Sequence, residues 1–257
     1  MYPKLLHIFG PVWIHSYGVM IAVGFLVFIY FLSKNSKRIQ LISNEDFLNS
    51  LFIGLSAGII GGRLIFVLYE WELFADNFWQ IFYPWIGGFG IMGSILGVLL
   101  VVPPYLKFKK VKVLPFLDVI AIYAGLLEGF GRIGCFFAGC CYGAQVGINA
   151  CCSVVFKNPD GLAPLNIALH PTQIYSSLLS FLVFVIIYFR AKYFSYKNGE
   201  LIFSFLFLSS LSRFCVDFLR GDRDFLSGFD LFSYYQIVAL SISAVSLLAL
   251  IYIYKKK

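Results

Sequence analysis

The sequence predicts an all-α, polytopic membrane protein with about seven transmembrane helices, and three observations predict it. Of the 257 residues 60% are hydrophobic and 13% are charged, against about 45–50% and about 25% in soluble domains. Apolar runs long enough to cross a bilayer, roughly 20 residues each, recur along the whole chain. Basic residues gather in short clusters in every second gap between those runs, which is the signature of membrane topology. The formal charge of +7 therefore does not point to nucleic acid. No polar linker divides the chain, so residues 1–257 are read as a single integral membrane domain. The opening residues carry no cleavable-signal pattern, because Lys4 leads into a short mixed segment and not into a distinct apolar core.

The first span is expected at about 17–32 and the second at about 47–68. The third is expected at about 85–102, ending at Pro103-Pro104, since proline removes a backbone donor and breaks a helix. Within it, Gly87-Gly88-Phe89-Gly90-Ile91-Met92-Gly93 weakens a helix and suits a broken or re-entrant segment. The fourth is expected at about 114–133, the fifth at about 172–189, the sixth at about 201–218 and the seventh at about 234–254.

Charge orients these spans. Lys34, Lys37 and Arg38 follow the first, and Lys107, Lys109, Lys110 and Lys112 follow the third. Arg190, Lys192 and Lys197 follow the fifth, and Lys255, Lys256 and Lys257 the seventh. These thirteen of the twenty basic residues fall on the cytoplasmic side under the positive-inside rule. The N-terminus is then outside and the C-terminus cytoplasmic. Residues 69–84, 134–171 and 219–233 face outward.

Lys4, Arg63, Arg132, Lys157, Arg213, Arg220 and Arg223 do not obey that sorting. Arg63, Arg132, Arg213 and Arg220 fall within or at the outer ends of apolar runs. An arginine at that depth either snorkels to the interface or marks a functional site. Arg132, Arg213 and Arg220 share one depth and call for anions. Asp217, Asp222 and Asp224 neutralise part of the charge, and phospholipid head groups are the anion available there, since guanidinium grips phosphate through two hydrogen bonds.

The central stretch is Gly131-Arg132-Ile133-Gly134-Cys135-Phe136-Phe137-Ala138-Gly139-Cys140-Cys141-Tyr142-Gly143, which sets an arginine beside three thiols. Two further polar stretches stand at the outer surface: Ile14-His15-Ser16-Tyr17-Gly18 before the first span, and His170-Pro171-Thr172-Gln173-Ile174-Tyr175 where the chain re-enters the membrane. Each reads either as interface anchoring by aromatic and histidine side chains or as a set of hydrogen-bonding groups for a substrate. Five of the six cysteines, Cys135, Cys140, Cys141, Cys151 and Cys152, lie in the outward-facing loop at about 134–171; the sixth is Cys215. They read as structural disulfides or buried thiols, as reactive thiols, or as metal ligands. The vicinal pairs are not a standard zinc spacing, whereas Cys135 to Cys140 is a permissible C-x₄-C. No metal and no cofactor is assigned.

These pieces, in this order, resemble the prolipoprotein diacylglyceryl transferase family of bacteria. The likeness takes in His15-Ser16-Tyr17-Gly18, Gly62-Arg63, the glycines from Gly87 to Gly97 and Gly131-Arg132-Ile133-Gly134. It continues through His170-Pro171-Thr172-Gln173-Ile174-Tyr175, Gly199-Glu200-Leu201, Arg213-Phe214, Asp217-Phe218-Leu219-Arg220 and Gln236, and so covers nearly the whole chain.

The resemblance implies seven spans in the bacterial cytoplasmic (inner) membrane. It implies transfer of the diacylglyceryl group of phosphatidylglycerol to the lipobox cysteine of a prolipoprotein, giving a thioether and releasing glycerol phosphate. It also implies roles. Arg132 and Arg213 would hold the phosphate, Tyr17 would line the head-group site, and Asp217 would stand where the family has Glu. Arg220 would support that carboxylate or the head group. Arg63, His15 and Gln173 join the substrate-binding set, and Cys135, Cys140 and His170 join Arg132, Arg213 and Tyr17 in the catalytic set.

The sequence departs from the family at the proton-transfer positions. Met92 stands for the third-span histidine, Cys135 for an Asn, Ala138-Gly139-Cys140 for Asn-Gly-Glu, and Ser209 for a tyrosine. Three readings follow. One is a transferase whose base is His15, His170 or a thiolate of Cys135 or Cys140. The second is a membrane thiol or redox protein using Cys135, Cys140 and Cys141. The third is a non-catalytic lipid-binding relative.

Overall fold

The structure is a computed structural model. It describes every residue except Pro11, Asp76, 84–87, Phe89, Ile148, Asn149, Cys151, Asp224, Ser227, Gly228 and Lys257. The expectations that fall on Gly87, Cys151, Asp224 and the start of the third span therefore lie outside the described residues. Among the described residues eight α-helices dominate. Strands β1 (Lys4–Phe9) and β2 (Val12–His15) precede α1 (Ser16–Lys34), α2 (Ser36–Leu41) and α3 (Asn44–Tyr69). Next come α4 (Ile91–Phe108), α5 (Val113–Ala138), β3 (Val154–Val155) and β4 (Ala168–Leu169). The chain closes with α6 (Thr172–Tyr193), α7 (Glu200–Asp217), β5 (Phe225–Leu226), β6 (Phe229–Ser233) and α8 (Tyr234–Lys255). Among the described residues five helices, α1, α3, α5, α6 and α8, are long and apolar enough to cross a membrane, and Met92–Phe108 forms a shorter apolar helix.

The boundaries differ from expectation in three places. Helix α4 runs through Pro103 and Pro104 to Phe108. Each proline removes one donor but has a helical φ, and close packing on α3 holds the element together. Helix α5 continues past Arg132 to Ala138, so Cys135 lies on its last turn and not in the loop. The N-terminal segment folds as an antiparallel hairpin of β1 on β2, too short for periodicity to reveal.

The chain forms two compact units. The first comprises Met1–Lys34 and Leu117–Lys257. Its most buried spanning helix is α5, with 50% of its apolar window buried against 17–22% in α1, α6 and α8. Glycines make two close faces on α5. A Cβ on Gly125 would lie 2.6 Å from the Ser180 carbonyl oxygen of α6, and one on Gly129 would strike the Phe181 ring. On the other face, a Cβ on Gly134 would lie 3.1 Å from the Tyr17 ring of α1. Ser177 Oγ donates to the Gly129 carbonyl at 3.0 Å. Backbones this near one another gain dispersion contacts that lipid cannot match.

The start of α7 is held by Asp118 of α5, fully buried. Its carboxylate accepts from the Gly199 amide at 2.6 Å and the Ile202 amide at 3.0 Å. Gly199 has φ +89°, a conformation glycine adopts without strain. Glu200, also buried, pairs with Arg190 Nη2 at 2.5 Å.

The second unit is Asn35–Phe116. Here α3 and α4 pack through Gly61, Gly93 and Gly97. Arg63 is buried on α3. Its guanidinium donates to the carbonyls of Ile81 at 2.9 Å, Gln80 at 2.8 Å and Gly88 at 3.1 Å. It lies 5.2 Å from the Phe74 ring, within cation–π range. Arg63 therefore ties Gln80, Ile81 and Gly88 to α3. Met92, at the start of α4, is exposed.

Candidate active site

The site grows from the C-terminal end of α5. Glu128 and Arg132 are four residues apart and so share one face of that helix. They line a small cavity of about 10 Å³ together with Ser176 and Ser180 of α6 and Ser209, Ser212 and Arg213 of α7. Ser209 Oγ donates to Glu128 Oε2 at 2.8 Å. Arg132 has no hydrogen-bond or ion-pair partner among the described residues. The structure thus brings Arg132 and Arg213 to one cavity, with Glu128 beside them. Glu128 is absent from the sequence-derived site, although its i, i+4 relation to Arg132 marks it in the sequence.

Beyond α7 the cations surround one carboxylate. Asp217 is 1% exposed and lies 3.4 Å from Arg213 Nη2, 3.7 Å from Arg223 Nε and 4.0 Å from Arg220 Nε. Ser233 Oγ donates a short hydrogen bond to its Oδ2. Arg220 grips Asp222 with two hydrogen bonds at 2.8 and 2.7 Å. Arg213 and Arg220 also face the Tyr235 ring, at 5.2 and 6.0 Å. Gln236 accepts from Arg223 Nη2 at 2.7 Å.

The thiols occupy the turn after α5. Gly139 and Cys141 both take positive φ, +77° and +57°, and reverse the chain there. The Sγ atoms of Cys135, Cys140 and Cys141 all lie within 4.8 Å of one another, and none of the three is in a disulfide. The turn is clamped by α6: Thr172 Oγ1 donates to the Cys141 carbonyl and Gln173 Nε2 to the Cys140 carbonyl, each at 2.8 Å. The Cys141 thiol is drawn below its ordinary value, first by hydrogen bonds from the Cys135 and Cys140 thiols and then, against burial, by the charges of Arg220 and Arg132.

The loop returns as an extended segment. The Gly143 amide donates to the His170 carbonyl at 3.1 Å, the Ala144 amide to the Leu219 carbonyl at 2.8 Å and the Gly221 amide to the Tyr142 carbonyl at 3.1 Å. Residues 142–144 are therefore stitched between the start of α6 and the end of α7, which ties the thiol turn to the arginine cluster. His170 Nδ1 and Gln173 Oε1 are buried without a hydrogen-bond partner among the described residues. Tyr17 and His15 are exposed, Tyr17 on the first turn of α1 and His15 at the end of β2.

Residues 3–252 match the sequence model of the family described as prolipoprotein diacylglyceryl transferase. The chain belongs to that family. It is 39% identical over 224 residues to the phosphatidylglycerol–prolipoprotein diacylglyceryl transferase of Clostridium tetani (strain Massachusetts / E88), covering 86% of each chain. It is 35% identical over 212 residues to transferase 2 of Clostridium perfringens (strain 13 / Type A), covering 81% of this chain and 80% of that one. A Dehalococcoides mccartyi (strain CBDB1) transferase is 29% identical over 248 residues, covering 96% and 92%. Membership of the diacylglyceryl transferase family identifies the chain as a membrane-bound transferase, and the matched residues 3–252 include the arginine cluster, the thiol turn and α6.

Proposed function

We propose that this protein transfers the diacylglyceryl group of phosphatidylglycerol to the lipobox cysteine thiol of a prolipoprotein. The observation that carries the reading is that Arg132 and Arg213 line one cavity in a chain of this family; at about 10 Å³ it has room for no more than a water, so its side chains part to admit a phosphate. Two guanidinium groups facing one space suit a phosphate diester, and they suit better the phosphate monoester that departs, because negative charge grows there as the ester bond breaks. Arg220 and Asp217 hold the neighbouring charges in place. Tyr17 and His15 serve the glycerol head group from the outer end of α1, and Arg63 is assigned to substrate binding by the family resemblance. His170 and Gln173 each keep one polar atom for a substrate. We place seven spans in the bacterial inner membrane as a single domain, with the N-terminus outside, the C-terminus cytoplasmic and the thiol turn facing outward.

The test is transfer of labelled diacylglyceryl from phosphatidylglycerol vesicles to a lipobox peptide by the purified chain. Thioether product that falls at least a hundredfold in Arg132→Ala and Arg213→Ala is the expected result, with helical circular dichroism retained. No product from folded wild-type protein, with or without reductant, would refute the reading.

A further inference from the structure

The acceptor thiol must lose its proton to become a nucleophile. The family's histidine position is Met92, exposed and without ionisable character. What the chain has instead is a thiol cluster. Cys135 is on the last turn of α5, and Cys140 and Cys141 follow in a turn reversed at Gly139 and Cys141. All three Sγ atoms are within 4.8 Å of one another. In a tetrahedral zinc site with Zn–S near 2.3 Å, sulfur atoms sit about 3.8 Å apart, so the three Sγ atoms stand within about 1 Å of the spacing an ion needs. The backbone beneath is already fixed, because the buried side chains of Thr172 and Gln173 hold the carbonyls of Cys141 and Cys140.

We propose that Cys135, Cys140 and Cys141 form a three-thiolate site for a soft divalent cation of the zinc class, with a fourth position open to the acceptor's cysteine. Among the described residues no fourth His, Cys, Asp or Glu joins the cluster. Three protein ligands and one free position is the arrangement of reactive zinc centres, whereas structural ones are closed with four. Three thiolates and a divalent ion leave one negative charge; Arg132 stands three residues before Cys135 on α5, and residues 142–144 are hydrogen-bonded to Leu219 and Gly221 on either side of Arg220, so two cations adjoin the cluster.

The proposal rests on the transferase reading and supplies its missing activation step. Loading the ion releases the three cysteine protons to solvent. The acceptor thiol then binds at the open position, releases its proton to solvent, and is held as a thiolate. Its sulfur attacks the glyceryl carbon of the lipid. The carbon–sulfur bond forms as the bond from that carbon to the phosphate oxygen breaks, and the electron pair leaves on glycerol phosphate beside Arg132 and Arg213. Nothing is oxidised or reduced.

The full chain, prepared under reducing conditions in lipid nanodiscs, is tested with Zn²⁺ and Co²⁺. The expected results are one zinc per chain and, with cobalt, a thiolate charge-transfer band with a tetrahedral d–d spectrum. A lipobox peptide should shift the d–d bands, and the same peptide with serine for cysteine should not. Cys135→Ser, Cys140→Ser and Cys141→Ser should each weaken zinc binding at least tenfold, while Cys215→Ser should not. Chelation of the wild-type protein should reduce transfer at least tenfold, with recovery on adding zinc, and this readout does not depend on any variant folding.

Absence of metal binding, or binding equal in all the serine variants, overturns the proposal. Transfer that survives complete removal of metal overturns it and leaves the transferase standing. A peptide-responsive metal site without transfer upholds the thiol-binding centre and refutes the transferase reading instead.

Discussion

At the scale of single residues, the anion site proposed at Arg132 and Arg213 asks of both positions what lysine cannot supply. A guanidinium presents a planar fork to phosphate, whereas an ammonium presents one point charge on a flexible stem. Arg132→Lys and Arg213→Lys should therefore keep the fold and lower kcat/KM about tenfold or more, a loss of about 1.4 kcal/mol or greater in transition-state stabilisation. Steady-state transfer kinetics check this, and wild-type rates in both variants would show that charge alone suffices. Gly143 tests the stitching of the loop. A side chain there would collide with the backbone of His170, so Gly143→Val should displace the thiol turn, lowering both transfer and the temperature of unfolding. Much of this site was legible in the sequence, because charged residues at membrane depth stand out against apolar neighbours. The gathering of Cys140 and Cys141 onto Cys135 was not, because it depends on two left-handed residues, and the positive φ of Cys141 leaves no mark in a one-dimensional pattern.

At the scale of elements, α5 organises its unit by offering small residues on two faces. Its pattern of glycines was visible, but which partner each faced depends on the tertiary arrangement. Gly129→Leu should push α6 away from α5 and cost about 1–3 kcal/mol through overpacking, read as a lowered unfolding temperature in detergent. Tolerance of leucine would mean that the close approach does not stabilise the unit. Asp118 is the instructive omission. An acid inside an apolar run looks like a flaw until α7 is placed beside it, when it proves to be the acceptor for the Gly199 and Ile202 amides. Asp118→Ala strands both, at about 1–3 kcal/mol for each buried donor left unmade. The expected result is faster proteolysis between Tyr193 and Leu201 with transfer reduced less than by Arg132→Ala. The proline pair in α4 carries the opposite lesson, since a strong local breaker was overridden by packing on α3.

At the scale of the whole molecule, one argument links charge to chemistry. The basic clusters at 34–38, 107–112, 190–197 and 255–257 lie at alternate ends of the apolar helices. Arg132, Arg213, Arg220 and the thiol turn lie at the ends opposite the 190–197 cluster: α6 runs from Thr172, beside the thiols, to Tyr193, and α7 runs back from Glu200 to Asp217. If the positive-inside rule fixes the first set in the cytoplasm, the site opens to the other side, where a prolipoprotein already threaded through the membrane presents its cysteine. Labelling intact cells with a membrane-impermeant thiol reagent should then modify an engineered Leu162→Cys, on the exposed part of the loop, in a chain otherwise lacking cysteine. It should leave a Ser195→Cys in the same background unmodified until the cells are permeabilised. The reverse pattern would place the arginine cluster and its open cation position on the cytoplasmic face. The acceptor would then have to be modified before export, which would sink the assigned orientation while leaving the chemistry of the cavity intact.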